Sequence, residues 1–469
     1  MYKIIKNEWI SYFRKKALVS ITILFIVFST VISFLSIKQN QELLQNQDKA
    51  KKHIRQQWDA LNDMNPHGAA HYGSYAFKKT NVLNSLDDGV NAITGNVLRL
   101  EGHVQNEMTY SEASQSLSIS KFGKLKPILL LQYVLPLFII FLAFTSFAAE
   151  RENGRLKLLI IQGASPAKLI FGKAISVALF AIVLLLITIG LQLILNKNAL
   201  SNDMIVRCFL LFFSYSMYYV ILSLLVVFLS AKLQTATAAL TTSLAIWVVW
   251  TIFLPKIWGN TVDKINPLPS RQVFNEAMKE DRSKGIDGHN PSEDRQKALE
   301  KEILLKYKVD SLSQLPINFN GLVMQADEDY GSKVWDKHFG NNYKIVQNQK
   351  KWYQYSGIIN PFASLQDASM GFSGTDVLHH LDFLKKAENY RRVFIKTLNY
   401  KQAYGGSKTN DWDWKADNAF FKSVKDFDYQ TPSIKSNFSD YATNIIFLLS
   451  WLVALVLIIY FTSKNIKLL

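Results

Sequence analysis

The sequence predicts an all-α polytopic membrane protein: six transmembrane helices with an α-rich extracytoplasmic domain built from two insertions. Three observations carry this expectation. Six windows of about twenty apolar residues contain no Asp, Glu, Lys, Arg or His, and each is long enough to cross a hydrocarbon layer of roughly 30 Å at about 1.5 Å per helical residue. Basic residues crowd the connections at one side of those windows. Two long polar segments fall between the first and second windows and between the fifth and sixth. The chain of 469 residues, 49% of them hydrophobic, has room for two or three domains.

In chain order, residues 1–16, "MYKIIKNEWISYFRKK", place Ile5, Trp9 and Phe13 on one helical face with lysines around it, the pattern of an amphipathic cytoplasmic helix in the headgroup region. The first span, 17–37, follows this basic start as a secretory signal would. It is longer than a typical signal core and no small-x-small pattern closes it, so it reads as an uncleaved anchor. Extracytoplasmic insertion 1, 38–126, opens as a polar continuation of that helix. It breaks at "MNPHGAAHYGSY", where Pro66, Gly68 and Gly73 punctuate, and a helical stretch from Val97 to Met108 is expected after it. Spans 2 to 5 are placed at 127–149, 174–195, 208–231 and 236–255, with a cytoplasmic insert at 150–173. Insertion 2, 256–443, is charged and loop-like at "EDRSKGIDGHNPSED" and helical from Arg295 to Tyr307. It then carries a helix with Leu378, Leu381, Leu384, Ala387, Phe394 and Leu398 near one face and Thr375 or Asp376 as N-cap. The sixth span, 444–463, and a cytoplasmic tail, 464–469, complete the chain. There is no internal repeat and no strand pattern. The insertions leave from spans that a compact bundle holds together, so they are expected to form one domain.

Orientation follows from the basic residues. Segments 1–16, 150–173, 232–235 and 464–469 hold thirteen Lys and Arg against three Asp and Glu, whereas the rest of the chain holds 40 against 34. Both termini are therefore expected in the cytoplasm, with the chain in the cell (inner) membrane and the lipid bilayer as its first partner. The formal charge of +16 is largely this orientation signal, which argues against nucleic acid as a partner. The single cysteine, Cys208, excludes an intrachain disulfide and a CxxC motif.

The insert "ERENGRLKLLIIQGASPAKLIFGK" has room for two short helices and a turn. Gly163, Ser165 and Pro166 supply the turn, with Ser165 as cap and Pro166 at a first helical position. Leu158 to Ile161 are too apolar for a solvated loop and must pack against something, either the inner leaflet of an ordinary hairpin or a partner. Glu150-Arg151-Glu152-x-Gly154, Leu158-Leu159, the Gly163-x-Ser165 turn and the closing Gly172-Lys173 resemble the signature of ABC-2 type transporter permeases. Within that family, "HYGSYAF", "DDGVNAITGNVLRLEGHVQNE", "NPFASLQDASMGFSGTD" and "FLKKAENYRRVF" are similar to the branch with two large extracytoplasmic insertions. Permeases of copper-enzyme maturation systems share the general plan. The resemblance implies that the insert is a coupling element docking on a separate ATP-binding subunit, with Glu150, Arg151, Glu152 and Gly154 shaping it and Lys173 marking re-entry into the membrane. It also implies a dimer with a second permease copy or a related permease, and transport in the export direction. Pro166 and Ala167 depart from the family, where those positions are often basic.

The energy source must lie elsewhere. No GxxxxGK[ST] phosphate loop occurs, and no carboxylate, His, Lys or Arg sits inside a span, where ion-coupled carriers usually place them. No catalytic residue and no cofactor are assigned to this chain; ATP and Mg²⁺ are expected on the partner ATPase. Two other readings compete: a membrane-anchored extracytoplasmic metal-binding or enzymatic module, and a transmembrane sensor or scaffold. All eight histidines lie in the insertions. His67 and His71 have the i, i+4 spacing that puts two imidazoles on one ion if the segment is helical, but Pro66 and Gly68 argue against a helix, and neither HExxH nor GxSxG is present. Structural roles are expected for the histidines, and no metal site is assigned. Asp327, Glu328 and Asp329 read as a solvated helix face, and Trp412 and Trp414 as packing residues.

Overall fold

Six helices are long and apolar enough to cross a membrane, and among the described residues the only sheet is a two-stranded one. The computed structural model describes residues 1–108, 125–197 and 200–463; the tail assigned to 464–469 and part of insertion 1 lie outside the described residues. After α1 (Tyr2–Arg14), α2 (Lys16–Asp59) runs unbroken through the first span and on into insertion 1. The other spans are α4 (Pro127–Glu152), α6 (Pro166–Leu195), α7 (Asn202–Lys232), α8 (Ala236–Ile265) and α15 (Ser439–Ser463). Between them lie α3 (Pro66–Tyr72), β1 (Ser74–Phe77), β2 (Val97–Leu100) and the short α5 (Arg155–Ile161). Insertion 2 contributes α9 (Arg271–Lys284), α10 (Ser292–Tyr307), α11 (Phe319–Tyr355), α12 (Pro361–Ser373), α13 (Val377–Tyr404) and α14 (Asn418–Ser423). Each expected span falls within one of these helices. Both α4 and α8 contain one wider π-type turn, at Leu130–Val134 and Val249–Phe253, each followed by a proline, Pro136 or Pro255. Proline lacks the N–H that continues the helical ladder, which accounts for the local change of winding.

The bundle core is built on α4, α6 and α7, whose apolar windows are more than half buried, while the windows of α2, α8 and α15 are about one-fifth buried. The two insertions pack as one body at one end of the bundle. Trp58, Ala69 and Ala70 of the first share a core with Phe394, Leu398, Ala416 and Phe421 of the second. At the opposite end gather α1, the 150–173 insert and the short connection between α7 and α8.

Four expectations are corrected here. Residues from Val97 do not continue as a helix: Val97–Leu100 pairs antiparallel with Ser74–Phe77, and Leu98 and Leu100 alternate into a core under Phe383. Alternation of apolar positions, period 2, is the signal a helical reading passes over. Pro66 does not break a helix but begins one. It occupies the first helical position, and the Asn65 side chain accepts the N–H groups of His67 (2.8 Å) and Gly68 (3.4 Å). Nor is the acidic trio uniformly solvated. Glu328 is buried, its Oε2 accepting from Arg391 at 3.0 Å, and Asp327 pairs with Arg282 at 2.6 Å. The charged stretch 280–294 is not a loop throughout: Glu280–Lys284 end α9 and Ser292–Asp294 open α10, because the break is confined to the Gly- and Pro-containing residues 285–291. The α13 expectation agrees: the helix is capped by Asp376, whose carboxylate accepts the His379 N–H, and it buries Leu381, Ala387, Phe394 and Leu398.

Candidate functional site

The insert folds as two short helical pieces joined by turns that need left-handed backbone. The end of α4 closes at Gly154, φ +67°, and α5 closes at Gly163, φ +85°. Glycine reaches these angles without the steric penalty a Cβ brings. Ser165 holds the N-cap position of α6 through its backbone, and Pro166 the first helical position, although the Ser165 hydroxyl makes no capping bond. Leu156 is buried beneath α5 and Leu159 packs at the edge of the bundle core. Leu158 and Ile161 face outward, 59% and 70% exposed, beside exposed Glu152 and Arg155.

Two cations fasten this element to the spans. The Lys173 ammonium, on α6, is buried and donates to Glu150 Oε1 at 2.8 Å and to Glu8 Oε1 at 2.6 Å, joining the end of α4 and the middle of α1 to α6. Arg151 donates to the carbonyls of Ala231 (2.9 Å), Leu233 (2.8 Å) and Gln234 (3.2 Å), which are among the unpaired acceptors at the C-terminal end of α7. Glu150, Arg151 and Lys173 therefore act together, while Glu152, Gly154, Leu158 and Ile161 lie free of the bundle. Lys173 does more than mark a membrane boundary.

The seam of α1 is rotated by one residue from the expected Ile5, Trp9 and Phe13 face. Ile4 lies against Gly172, where an added Cβ would stand 2.9 Å from its side chain, Glu8 reaches Lys173, and Tyr12 is buried on Phe180. Trp9 does join this seam, donating its indole N–H to the Ser176 carbonyl at 3.3 Å. Ile5 is only half-buried and Phe13 is 64% exposed. The lysine on α6 decides the rotation, because a buried ammonium needs the carboxylate.

A second constellation was not legible in advance. α12 is wedged among α7, α8 and α15, its Phe362 ring against Tyr133 and Tyr218. It carries Asp367, which accepts from Lys350 (2.6 Å), Gln354 (2.8 Å) and Asn444 (2.7 Å). Lys350 also lies 3.1 Å from Asp376, which holds His379 at 2.6 Å and Tyr441 at 3.1 Å. Burial opposes ionisation of Asp376, but Lys350 and His379 outweigh it and hold the carboxyl well below its usual range. Near the same helix, Ser369 links Tyr215 (3.0 Å) to Asp87 (2.6 Å), and burial pushes the Asp87 carboxyl up to about 6. The only sequence signs of this wedge were Asn360-Pro361, a helix start, and small residues Ala363, Ser364, Ala368, Ser369 and Gly371 along it, which permit close helix packing.

In the extramembrane body, His67, His71 and His103 offer ligand atoms within 4.8 Å of one another. Burial, then the neighbouring His71, pushes the His67 imidazole down to about 4. Burial works against the Glu328 carboxylate, yet the hydrogen bond from His103 and the charge of Arg391 hold it down to about 2. Trp412 is half exposed with its ring 6.0 Å from that of His67, and Trp414 packs into the body's core.

Two family models match the chain. One, described as Domain of unknown function (DUF3526), matches residues 271–430. The other, described as Protein of unknown function (DUF2705), matches residues 103–260. The first begins with α9 and takes in α12 with Lys350, Gln354, Asp367, Asp376 and His379; the second takes in spans 2 to 5 and the 150–173 insert. No curated protein matches the chain.

Proposed function

We propose that this chain is the membrane-spanning permease subunit of an ATP-driven ABC-2 type transporter, an exporter of the cell membrane that works as a dimer with separate ATP-binding subunits. The observation that carries the reading is the construction of the 150–173 insert. An exposed apolar pair, Leu158 and Ile161, sits between two left-handed glycine turns on an element tied by Lys173 and Arg151 to α1, α4, α6 and α7. A load applied to α5 is thereby delivered to four helices at once. An ATPase docked there changes the balance between two arrangements of the bundle only if it binds one of them better, and this attachment carries such a preference from α5 into the spans. The sequence has no phosphate-binding loop, which supports placing ATP and Mg²⁺ on the partner. The uncovered apolar faces of α2, α8 and α15 suit lipid and a second permease copy. In this arrangement both termini are cytoplasmic and the two insertions form the extracytoplasmic domain.

The test is co-purification with a candidate ATP-binding subunit and ATPase activity in nanodiscs. Glu152→Lys reverses an exposed charge, and Leu158→Glu places a carboxylate on the apolar face. Gly154→Pro removes a backbone donor, now bonded to the Arg151 carbonyl at 3.1 Å, and forbids the positive φ. The expected result is loss of association or of stimulated ATPase activity while all six spans remain inserted. Retention of both in all three variants refutes the coupling role.

A further inference from the structure

The three histidines of the extramembrane body are separated by up to 36 positions in the sequence, yet their rings meet, with centroids 4.6, 5.2 and 5.4 Å apart. We propose that His67, His71 and His103 form a binding site for a borderline divalent transition metal of the zinc class, independent of the transport reading.

The geometry comes from three local devices. The Asn65 cap and Pro66 start α3 one residue before His67, so His67 and His71 lie one turn apart on the same face, and their Nε2 atoms are 3.1 Å apart. Two imidazole nitrogens bound to one tetrahedral zinc ion at about 2.0–2.1 Å are separated by about 3.3 Å, so the pair is already nearly spaced for a shared ion. His103 arrives from the turn between Glu101 and Val104, which follows β2 and holds His103 at φ +66°. That turn is fixed from both sides: the backbone N–H of His103 donates to Glu328, and its carbonyl accepts from Arg282 at 3.0 Å.

Glu328 also lies 3.2 Å from His103 Nδ1. A carboxylate receiving Nδ1–H fixes the tautomer and leaves Nε2 as the donor atom, the usual outer support of a metal-bound histidine. Arg391 anchors the other oxygen of Glu328 at 3.0 Å, so the support is itself held. Three imidazoles without a thiolate suit Zn²⁺ or Cu²⁺ and do not suit Mg²⁺ or Ca²⁺, which take oxygen ligands. His71 is exposed and His67 and His103 are half-buried, which gives an ion a path in and leaves a coordination position for water or a further ligand. Without an ion, the two facing Nε2 atoms of His67 and His71 can share only one proton between them, and a third basic ring beside them adds nothing to their stability. A cation makes the convergence of all three favourable.

The experiment uses the full chain in detergent or nanodiscs, free of any affinity tag and stripped with EDTA. Zn²⁺ binding is measured by calorimetry or chelator competition, and Co²⁺ serves as a spectroscopic stand-in. Wild type is expected to bind one Zn²⁺ per chain with Kd tighter than about 10 µM, and each single change, His71→Asn or His103→Asn, to weaken binding by about tenfold or more. The Co²⁺ form should show the intense visible bands of a tetrahedral site, absent from His67→Asn/His71→Asn, while His289→Asn behaves as wild type. His71→Asn alters an exposed side chain, so monodispersity and unfolding temperature in EDTA should match wild type. Wild-type binding weaker than about 10 µM, or stoichiometric binding that survives in the double variant, overturns the site.

Discussion

Lys350→Met removes the one cation between two buried carboxylates. The Lys350, Asp367 and Asp376 side chains are 6%, 5% and 1% exposed, and the ammonium lies 2.6 and 3.1 Å from the two acids. After the substitution Asp367 keeps the amide donors of Gln354 and Asn444, and Asp376 keeps His379 and Tyr441. The carboxylates lose their counter-charge without regaining water. Breaking a buried pair from one side costs about 3–5 kcal/mol, a large share of a total stability of roughly 5–15 kcal/mol. The triple variant Lys350→Met/Asp367→Asn/Asp376→Asn leaves no net buried charge, and should recover most of that loss. Unfolding in detergent, followed by tryptophan fluorescence over a denaturant series, measures both. The pH dependence has a definite sign. The Asp376 pKa is depressed in the folded state, so its contribution is complete above its unfolded value of about 3.9 and is lost as pH falls toward the lower folded value. In Lys350→Met the folded Asp376 pKa rises, so the acid-side loss should shrink and the gap between variant and wild type should narrow as pH falls. A loss below about 1 kcal/mol in Lys350→Met, or an equal loss in the triple variant, refutes the charge argument and leaves packing of α12 as the controlling term.

Other outcomes follow from the same contacts. Arg151→Gln strips three carbonyls at the end of α7 of their charged donor, and should speed hydrogen exchange around Leu233 and lower stability by about 1–2 kcal/mol, since the site is partly solvated; unchanged exchange there rules out the capping role. Asp87→Asn should stabilise the protein above pH 6 by on the order of 2–3 kcal/mol and have no effect below about pH 4. The sign follows from a carboxyl raised by burial to about 6, which favours the folded state only while protonated. A pH-independent difference between the two proteins, seen in parallel unfolding curves, contradicts it.

Much of the fold was legible because membrane spans are written in a coarse alphabet. Six charge-free windows suffice for six helices, and the pattern from Leu378 to Leu398 suffices for α13. What escaped depends on residues brought together from a distance. Pro66 is a breaker inside a helix and a starter at its first position, and only the Asn65 side chain settles which. His103 reads as an isolated residue until the β1–β2 pairing returns the chain to α3. The charge-free windows are real, yet Lys173 and Arg207 sit one residue outside two of them and are fully engaged, Arg207 with Asp203 at 2.6 Å and the Phe372 carbonyl at 3.2 Å. The place of α12 inside the bundle rests on small residues and one buried aspartate, and neither has a period to read.

The unbroken course of α2 gives the molecule a strut. Its 44 residues make a rod of about 66 Å at about 1.5 Å per residue, more than twice the thickness of a hydrocarbon layer. Near its base, α2 packs beside α1 and α6. Its tip is clamped in the extramembrane body: the buried Trp58 donates to the Phe421 carbonyl at 2.8 Å, and Arg55 donates to the carbonyls of Val424 at 2.6 Å and Lys422 at 2.9 Å. Between base and tip it is also held, Ser29 to Thr188 at 2.8 Å and Ser36 to the Ser85 carbonyl at 2.5 Å, so a shift at the base reaches the body through one continuous helix. No break within α2 separates the bundle from the body.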